Sequence, residues 1–115
     1  MLYRGSCHCG RTTFEVEGEL EQLMECNCSH CTRKGLLLWF VQRDKLRLKT
    51  PEADLAKYYF NKHVIEHRFC PSCGVQPMAF GKDRQGGDIA CINVRCLEGV
   101  DLSRLAVQKF DGRSL

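Results

Sequence analysis

Seven of the nine cysteines in this 115-residue chain fall in three short segments. They are Cys7-His8-Cys9, Cys26-Asn27-Cys28-Ser29-His30-Cys31 and Cys70-Pro71-Ser72-Cys73-Gly74. Four thiolates close a tetrahedral zinc, which is then structural. Three leave one position open to water or substrate, and an open zinc can do chemistry. The first and third segments together supply four sulfurs, and the middle segment supplies three. The pattern therefore predicts two zinc sites per chain, one closed and one open.

The closed site is expected on Cys7, Cys9, Cys70 and Cys73. Cys70-Pro71-Ser72-Cys73-Gly74 has the form of a zinc knuckle, in which two cysteines three apart turn both sulfurs toward one ion. Gly74 permits the left-handed backbone such a turn needs. Cys7 and Cys9 stand at a strand-to-turn position before Gly10. A shared metal would tie the start of the chain to its middle. Two other readings compete. The two cysteine pairs are unrelated and one packs as a small hydrophobe, or Cys70 and Cys73 are a redox pair. The redox reading needs a βαβ context, which the sequence does not offer.

The open site is expected on Cys26, Cys28 and Cys31, three sulfurs in one tight loop with no second Cys-x-x-Cys to complete them. Three thiolates on Zn²⁺ leave a net charge near −1 and a vacant position. A substrate thiol arriving there would lose its proton and could attack an aldehyde carbon. This metal is the more labile of the two. His30 as a fourth ligand would turn the site into a second structural zinc. Cys91 alternates with Ile89 and Asn93 and reads as core; Cys96 has no assigned role. His8 is expected to face solvent. His63 and His67 read as surface or packing residues, with His67 near enough to Cys70 to line a cleft. No general base stands out.

The elements that must position these groups are mostly short strands. Phe14 and Val16 alternate with Glu15 across Thr12 to Val16. Leu36 to Val41 is apolar on both faces and reads as a buried central strand. Gln42 to Lys45 is a turn, followed by a half-exposed strand over Leu46 to Leu48. Thr50 as an N-cap with Pro51 at the first position predicts one helical turn. Lys57 to Phe60 and Val64 to Phe69 form a hairpin across Asn61-Lys62. Val75 to Phe80 continues beyond the third cysteine segment, Gly81 to Gly87 is a loop and Asp88 to Val94 a strand. Leu102 to Phe110 fits a helix or a strand. The sum is a mainly β fold, one small zinc-stabilised domain over residues 1–115 built of twisted antiparallel sheets.

Composition bounds the function. A net charge of +3 with scattered basic residues does not argue for nucleic acid. The longest strong apolar run, Leu36 to Val41, is far short of the roughly 20 residues a membrane helix needs. The amino terminus has no apolar stretch like a signal peptide. An odd cysteine count in closely spaced pairs favours reduced, metal-bound thiols and the cytoplasm over a disulfide-rich secreted protein.

Gly5-Ser6-Cys7-His8-Cys9-Gly10, the Cys26-x-Cys28-x-x-Cys31 loop, and His67-Arg68-Phe69-Cys70-x-x-Cys73-Gly74 together resemble the glutathione-dependent formaldehyde-activating enzyme family. That family includes the centromere protein V branch. The similarity runs from Tyr3 to about Asp111. The resemblance implies the β-tent fold, shared with a Rab-binding chaperone family and B-type methionine sulfoxide reductases. It implies a structural zinc on Cys7, Cys9, Cys70 and Cys73 and a catalytic zinc on Cys26, Cys28 and Cys31. The implied reaction joins glutathione, as co-substrate, to formaldehyde, giving S-hydroxymethylglutathione; the class is carbon–sulfur lyase. The chain is short for the founding enzyme.

Three functions compete. The first is a zinc-dependent lyase acting on a thiol–aldehyde adduct, with a small thiol and a small aldehyde as partners. The second is a non-catalytic zinc-binding β module that docks a protein partner. The third, methionine sulfoxide reduction, pairs a zinc on two Cys-x-x-Cys motifs with a separate catalytic cysteine and leaves the middle triplet unexplained.

Overall fold

Alternation of apolar and polar residues sets the sheets. A computed structural model describes residues 1–59 and 65–114. Strand β2 (Thr13–Glu17) buries Phe14 and Val16. Glu15 points the other way, toward Arg4 at 3.5 Å and Lys49 at 3.7 Å. β2 pairs antiparallel with β1 (Leu2–Ser6) on one side and β5 (Leu46–Leu48) on the other, giving a three-stranded sheet.

The second sheet has seven strands in the order β10-β3-β4-β9-β8-β7-β6. These are β3 (Gln22–Cys26), β4 (Leu38–Gln42), β6 (Ala56–Tyr58), β7 (Glu66–Phe69), β8 (Met78–Lys82), β9 (Asp88–Asn93) and β10 (Ala106–Phe110). Five of its six ladders are antiparallel; β10 runs parallel to β3 and sets Phe110 opposite Cys26. One short helix, α1 (Ser29–Lys34), follows β3.

The inner strands of the large sheet bury residues on both faces, since side chains alternate along a strand. Trp39, Met78, Ala90 and Ile92 join Phe14, Val16 and Leu46 of the small sheet in the main core. Their neighbours Leu38, Ala79 and Cys91 form a second cluster with Cys31 and Leu36. That second face carries the middle cysteine segment.

The mainly β expectation holds, with a parallel ladder added at one edge. The hairpin arms pair as β6 with β7; its turn at Asn61-Lys62, with Phe60, His63 and Val64, lies outside the described residues. The ambiguous segment becomes a 3₁₀ turn at Leu102–Arg104 and then β10. Four details depart from expectation. Leu36 to Val41 is not buried throughout: Phe40 is 46% exposed. The loop after β8 is shorter, because Gly81 and Lys82 stay in the strand; Asp83 closes the turn by accepting from the N–H groups of Gln85 and Gly87. Thr50 does not cap the turn at Glu52–Asp54, since Pro51 occupies the cap position and Thr50 Oγ1 accepts instead from the Thr13 N–H at 3.2 Å. The middle cysteine loop contains α1, whose N-cap is Cys28.

Candidate metal centre

Cys7 leaves the end of β1 and turns at once. The Gly10 N–H donates to the Cys7 carbonyl, and Gly10 takes a left-handed φ of 81°. Cys70 leaves β7 in the same way, with the Gly74 N–H donating to the Cys70 carbonyl at 2.7 Å and Gly74 at φ 82°. The two turns bring together Cys7, Cys9, Cys70 and Cys73, whose sulfurs lie within 4.8 Å of one another. Cys9 Sγ is 3.7 Å from Cys7 Sγ and 3.6 Å from Cys70 Sγ. A tetrahedral zinc with bonds of about 2.3 Å separates its sulfurs by about 3.8 Å. The cluster fits that ion.

The protons of these thiols are unevenly held. The Val75 N–H, aided by the Cys9 N–H and neighbouring thiols, lowers Cys73 to about 6 against the effect of desolvation. Cys9 is raised to about 11: the Arg11 N–H favours its thiolate, but Cys70, desolvation, Cys7 and Cys73 together outweigh it. Crowded sulfurs cannot all ionise unless a cation replaces their protons.

The second cluster is Cys26, Cys28 and Cys31, again with sulfurs within 4.8 Å. β3 delivers Cys26, and α1 folds Cys28 and Cys31 toward it. Cys28 Sγ accepts from the Cys31 N–H at 3.3 Å, and Cys26 Sγ from the Cys28 N–H at 3.5 Å. Desolvation opposes ionisation of Cys28, but the Cys31 N–H and the neighbouring thiols overcome it and hold the group below its ordinary value. Burial raises Cys31, with Cys28 and Cys26 adding to the effect. Three sulfurs, one of them already favouring the thiolate, also fit a metal.

No histidine joins either cluster among the described residues. His30 does not group with the three sulfurs. Its ring stacks on Tyr58 at 5.5 Å and lies 4.0 Å from the ring of His67. His8 is exposed, as expected. Cys91 is buried, and desolvation raises it to about 12. Cys96 is raised to about 11 by burial first and then by Cys7 and Cys73.

The three-sulfur cluster opens on a cavity of about 440 Å³. Its floor is one row across four strands: Phe40 pairs with Cys91, Cys91 with Ala79, and Ala79 with His67. Small residues stand mid-row and larger rings at its ends, which makes a hollow. His67 therefore does line a cleft. Its Nδ1 is 3.1 Å from Gln76 Nε2, while Gln76 Oε1 accepts from Lys34 Nζ at 2.8 Å.

Phe110, Gly112 and Arg113 form another wall. Asn27 holds this segment: its N–H donates to the Phe110 carbonyl, its Nδ2 to Asp111 Oδ1, and its Oδ1 accepts from the Arg113 N–H. None of these wall residues was evident from cysteine spacing. Phe40 was readable, since it shares the parity of Leu38 on a strand apolar on both sides. The pairing of Asn27 with Asp111 crosses 84 positions and left no local signal.

Residues 2–109 match the family described as glutathione-dependent formaldehyde-activating enzyme. The chain belongs to that family. It is also similar to a protein of Rhodobacter sphaeroides known from a crystal structure. The two share 28% identity over 91% of this chain and 99% of that one, with a TM-score of 0.77. Family membership points to a glutathione-related, formaldehyde-activating role, and the cysteine clusters supply places for metal. No helix of the described residues is long and apolar enough to cross a membrane.

Proposed function

We propose that this protein is a carbon–sulfur lyase of thiol–aldehyde adducts, with a structural zinc on Cys7, Cys9, Cys70 and Cys73 and a second zinc on Cys26, Cys28 and Cys31. The observation that carries this reading is that all three sulfurs of the Cys26, Cys28 and Cys31 cluster line a cavity of about 440 Å³. A closed site has nothing to offer a substrate; an open one beside a cavity does. Glutathione and formaldehyde are the reactants that the family name supports, and a reducing compartment such as the cytoplasm suits nine free thiols.

Zinc on three thiolates would supply a Lewis-acid position that favours the thiolate form of an arriving thiol. The chain's own residues do the rest. In the forward direction the sulfur forms a bond to the aldehyde carbon, the carbonyl π electrons move to oxygen, and that oxygen takes a proton; the reverse breaks the same bond. Leu36, Leu38 and Phe40 exclude water from the reacting groups. The hydrogen bonds from Gln76 to His67 and from Lys34 to Gln76 hold the His67 ring against the cavity.

The test is a zinc count before and after mild chelation, joined to calorimetry with glutathione. The reading expects two zincs, one of them removable, and thiol binding that disappears with the removable metal. Thiol binding that is equal in the stripped protein, or absent from both forms for glutathione and for an uncharged thiol alike, returns the chain to a non-catalytic module that docks a protein partner.

A further inference from the structure

The cavity beside Cys26, Cys28 and Cys31 has the wrong polarity for a charged tripeptide. We infer that the adduct it takes in preference carries an uncharged apolar substituent, an aryl or short alkyl group, next to its sulfur. This rests on the lyase reading above and names the substrate class of that same site.

Three observations carry it. First, Phe40, Ile65 and Phe110 are 46%, 45% and 41% exposed, and all three line this one cavity. They are three of the eight exposed large hydrophobic side chains among the described residues. Single exposed apolar groups need no explanation, but a cluster rimming a concave site marks a binding surface.

Second, the charge is wrong for glutathione, which brings two carboxylates and an ammonium group. Among the described residues, Arg113 is the one arginine or lysine lining the cavity, and no aspartate or glutamate lines it. Against these described walls, at least one carboxylate and the ammonium of an enclosed glutathione would lack an opposite charge, and burying an unpaired charge is unfavourable. Lys34 is engaged by Gln76 and lies over the Phe69 ring, and it lines a different hollow with Arg33 and His30.

Third, most of the floor is apolar. Gln76 spends one acceptor site on Lys34 and one donor on His67. The row beneath is Phe40, Cys91 and Ala79, which offers an apolar group a fitting bed. A volume of about 440 Å³ accommodates an aryl ring together with the reacting carbon and sulfur.

The experiment compares phenylmethanethiol with glutathione by calorimetry on the zinc-loaded full chain, with Cys28→Ser as the control for the site. Phe40→Asp and Ile65→Asp probe the wall, with a melting curve for each. The inference expects phenylmethanethiol to bind at least tenfold more tightly than glutathione. Each aspartate should cut that ratio several-fold while leaving the melting temperature unchanged. Glutathione binding as tightly as phenylmethanethiol, or a ratio unmoved by both aspartates, overturns the inference and leaves the lyase reading intact. Phenylmethanethiol binding that survives Cys28→Ser undiminished places it elsewhere and also overturns the inference. Failure of both thiols to bind overturns the lyase reading itself.

Discussion

Gly112 lies so close to Cys26 that a Cβ added to it would stand 2.5 Å from the Cys26 sulfur and 3.3 Å from Cys28 Cβ. β10 creates this approach by running parallel to β3, and the Asn27 hydrogen bonds fasten it. Gly112→Ala must therefore displace Cys26 Sγ or the wall. We predict that it keeps the fold and the four-thiol metal but makes the three-thiol metal several-fold easier to chelate. Chelator titration with zinc counting checks this; a release profile identical to that of the parent protein refutes it.

His67 offers a pH test. Burial lowers it from 6.5 to about 4, with help from the charges of His30 and Lys34. The folded chain thus resists a proton that the unfolded chain accepts. The stability tied to neutral His67 is complete above about pH 6.5 and drains away as pH falls toward about 4. His67→Asn keeps an acceptor for Gln76 without the titrating ring. Between pH 7 and pH 4.5, the stability of the parent relative to this variant should decline, by on the order of 1–3 kcal/mol. Urea melts at several pH values measure the gap; curves that stay parallel contradict the assignment.

Gly74 takes φ 82° and Gly86 takes φ 83°, and a Cβ on either would meet no atom within 4 Å. Alanine at either position should cost roughly 1–2 kcal/mol from the backbone alone. Only Gly74 lies in a turn that aims thiols, since its N–H closes on the Cys70 carbonyl. Both variants should melt several degrees lower. Gly74→Ala alone should also release the structural zinc faster in the native state. Equal release rates in the two variants would show that the knuckle geometry is irrelevant to retention.

The grouping of thiols was legible because ligand spacing is local chemistry. Cys70-x-x-Cys73-Gly74 encodes its own turn, and the strands around Phe14, Leu46 and Ile92 announce themselves by alternation. The cavity was much less legible. Its floor joins Phe40, Cys91, Ala79 and His67 from four strands, and only the sheet register makes them neighbours. Phe110 and Gly112 reach Cys26 through a parallel ladder that periodicity alone cannot predict. α1 has six residues, too few to show a helical stripe, and the side-chain cap that starts it is a cysteine, which does not look like a cap in sequence.

Cys73→Ser and Cys28→Ser together separate the two proposed metals. A structural zinc contributes an apparent binding free energy of about 10–16 kcal/mol in small zinc domains. The whole stability of a domain is about 5–15 kcal/mol. Removing a ligand of the proposed closed site therefore threatens the fold. That site also ties residues 61 positions apart, as Cys9 to Cys70 shows. The three-thiol site closes only a short loop, and the difference in closure entropy favours the long one by about 2 kcal/mol. Cys28→Ser removes a proposed ligand but keeps a side-chain acceptor at the cap of α1, and it leaves both sheets and the long closure untouched. We predict that Cys28→Ser folds, keeps about one zinc per chain and loses thiol binding and adduct cleavage. Cys73→Ser should melt far lower, or not fold. Zinc stoichiometry and thermal melting on both proteins decide the matter. If Cys28→Ser is as disordered as Cys73→Ser, both metals hold the fold, and the proposal of an open, working site loses its basis.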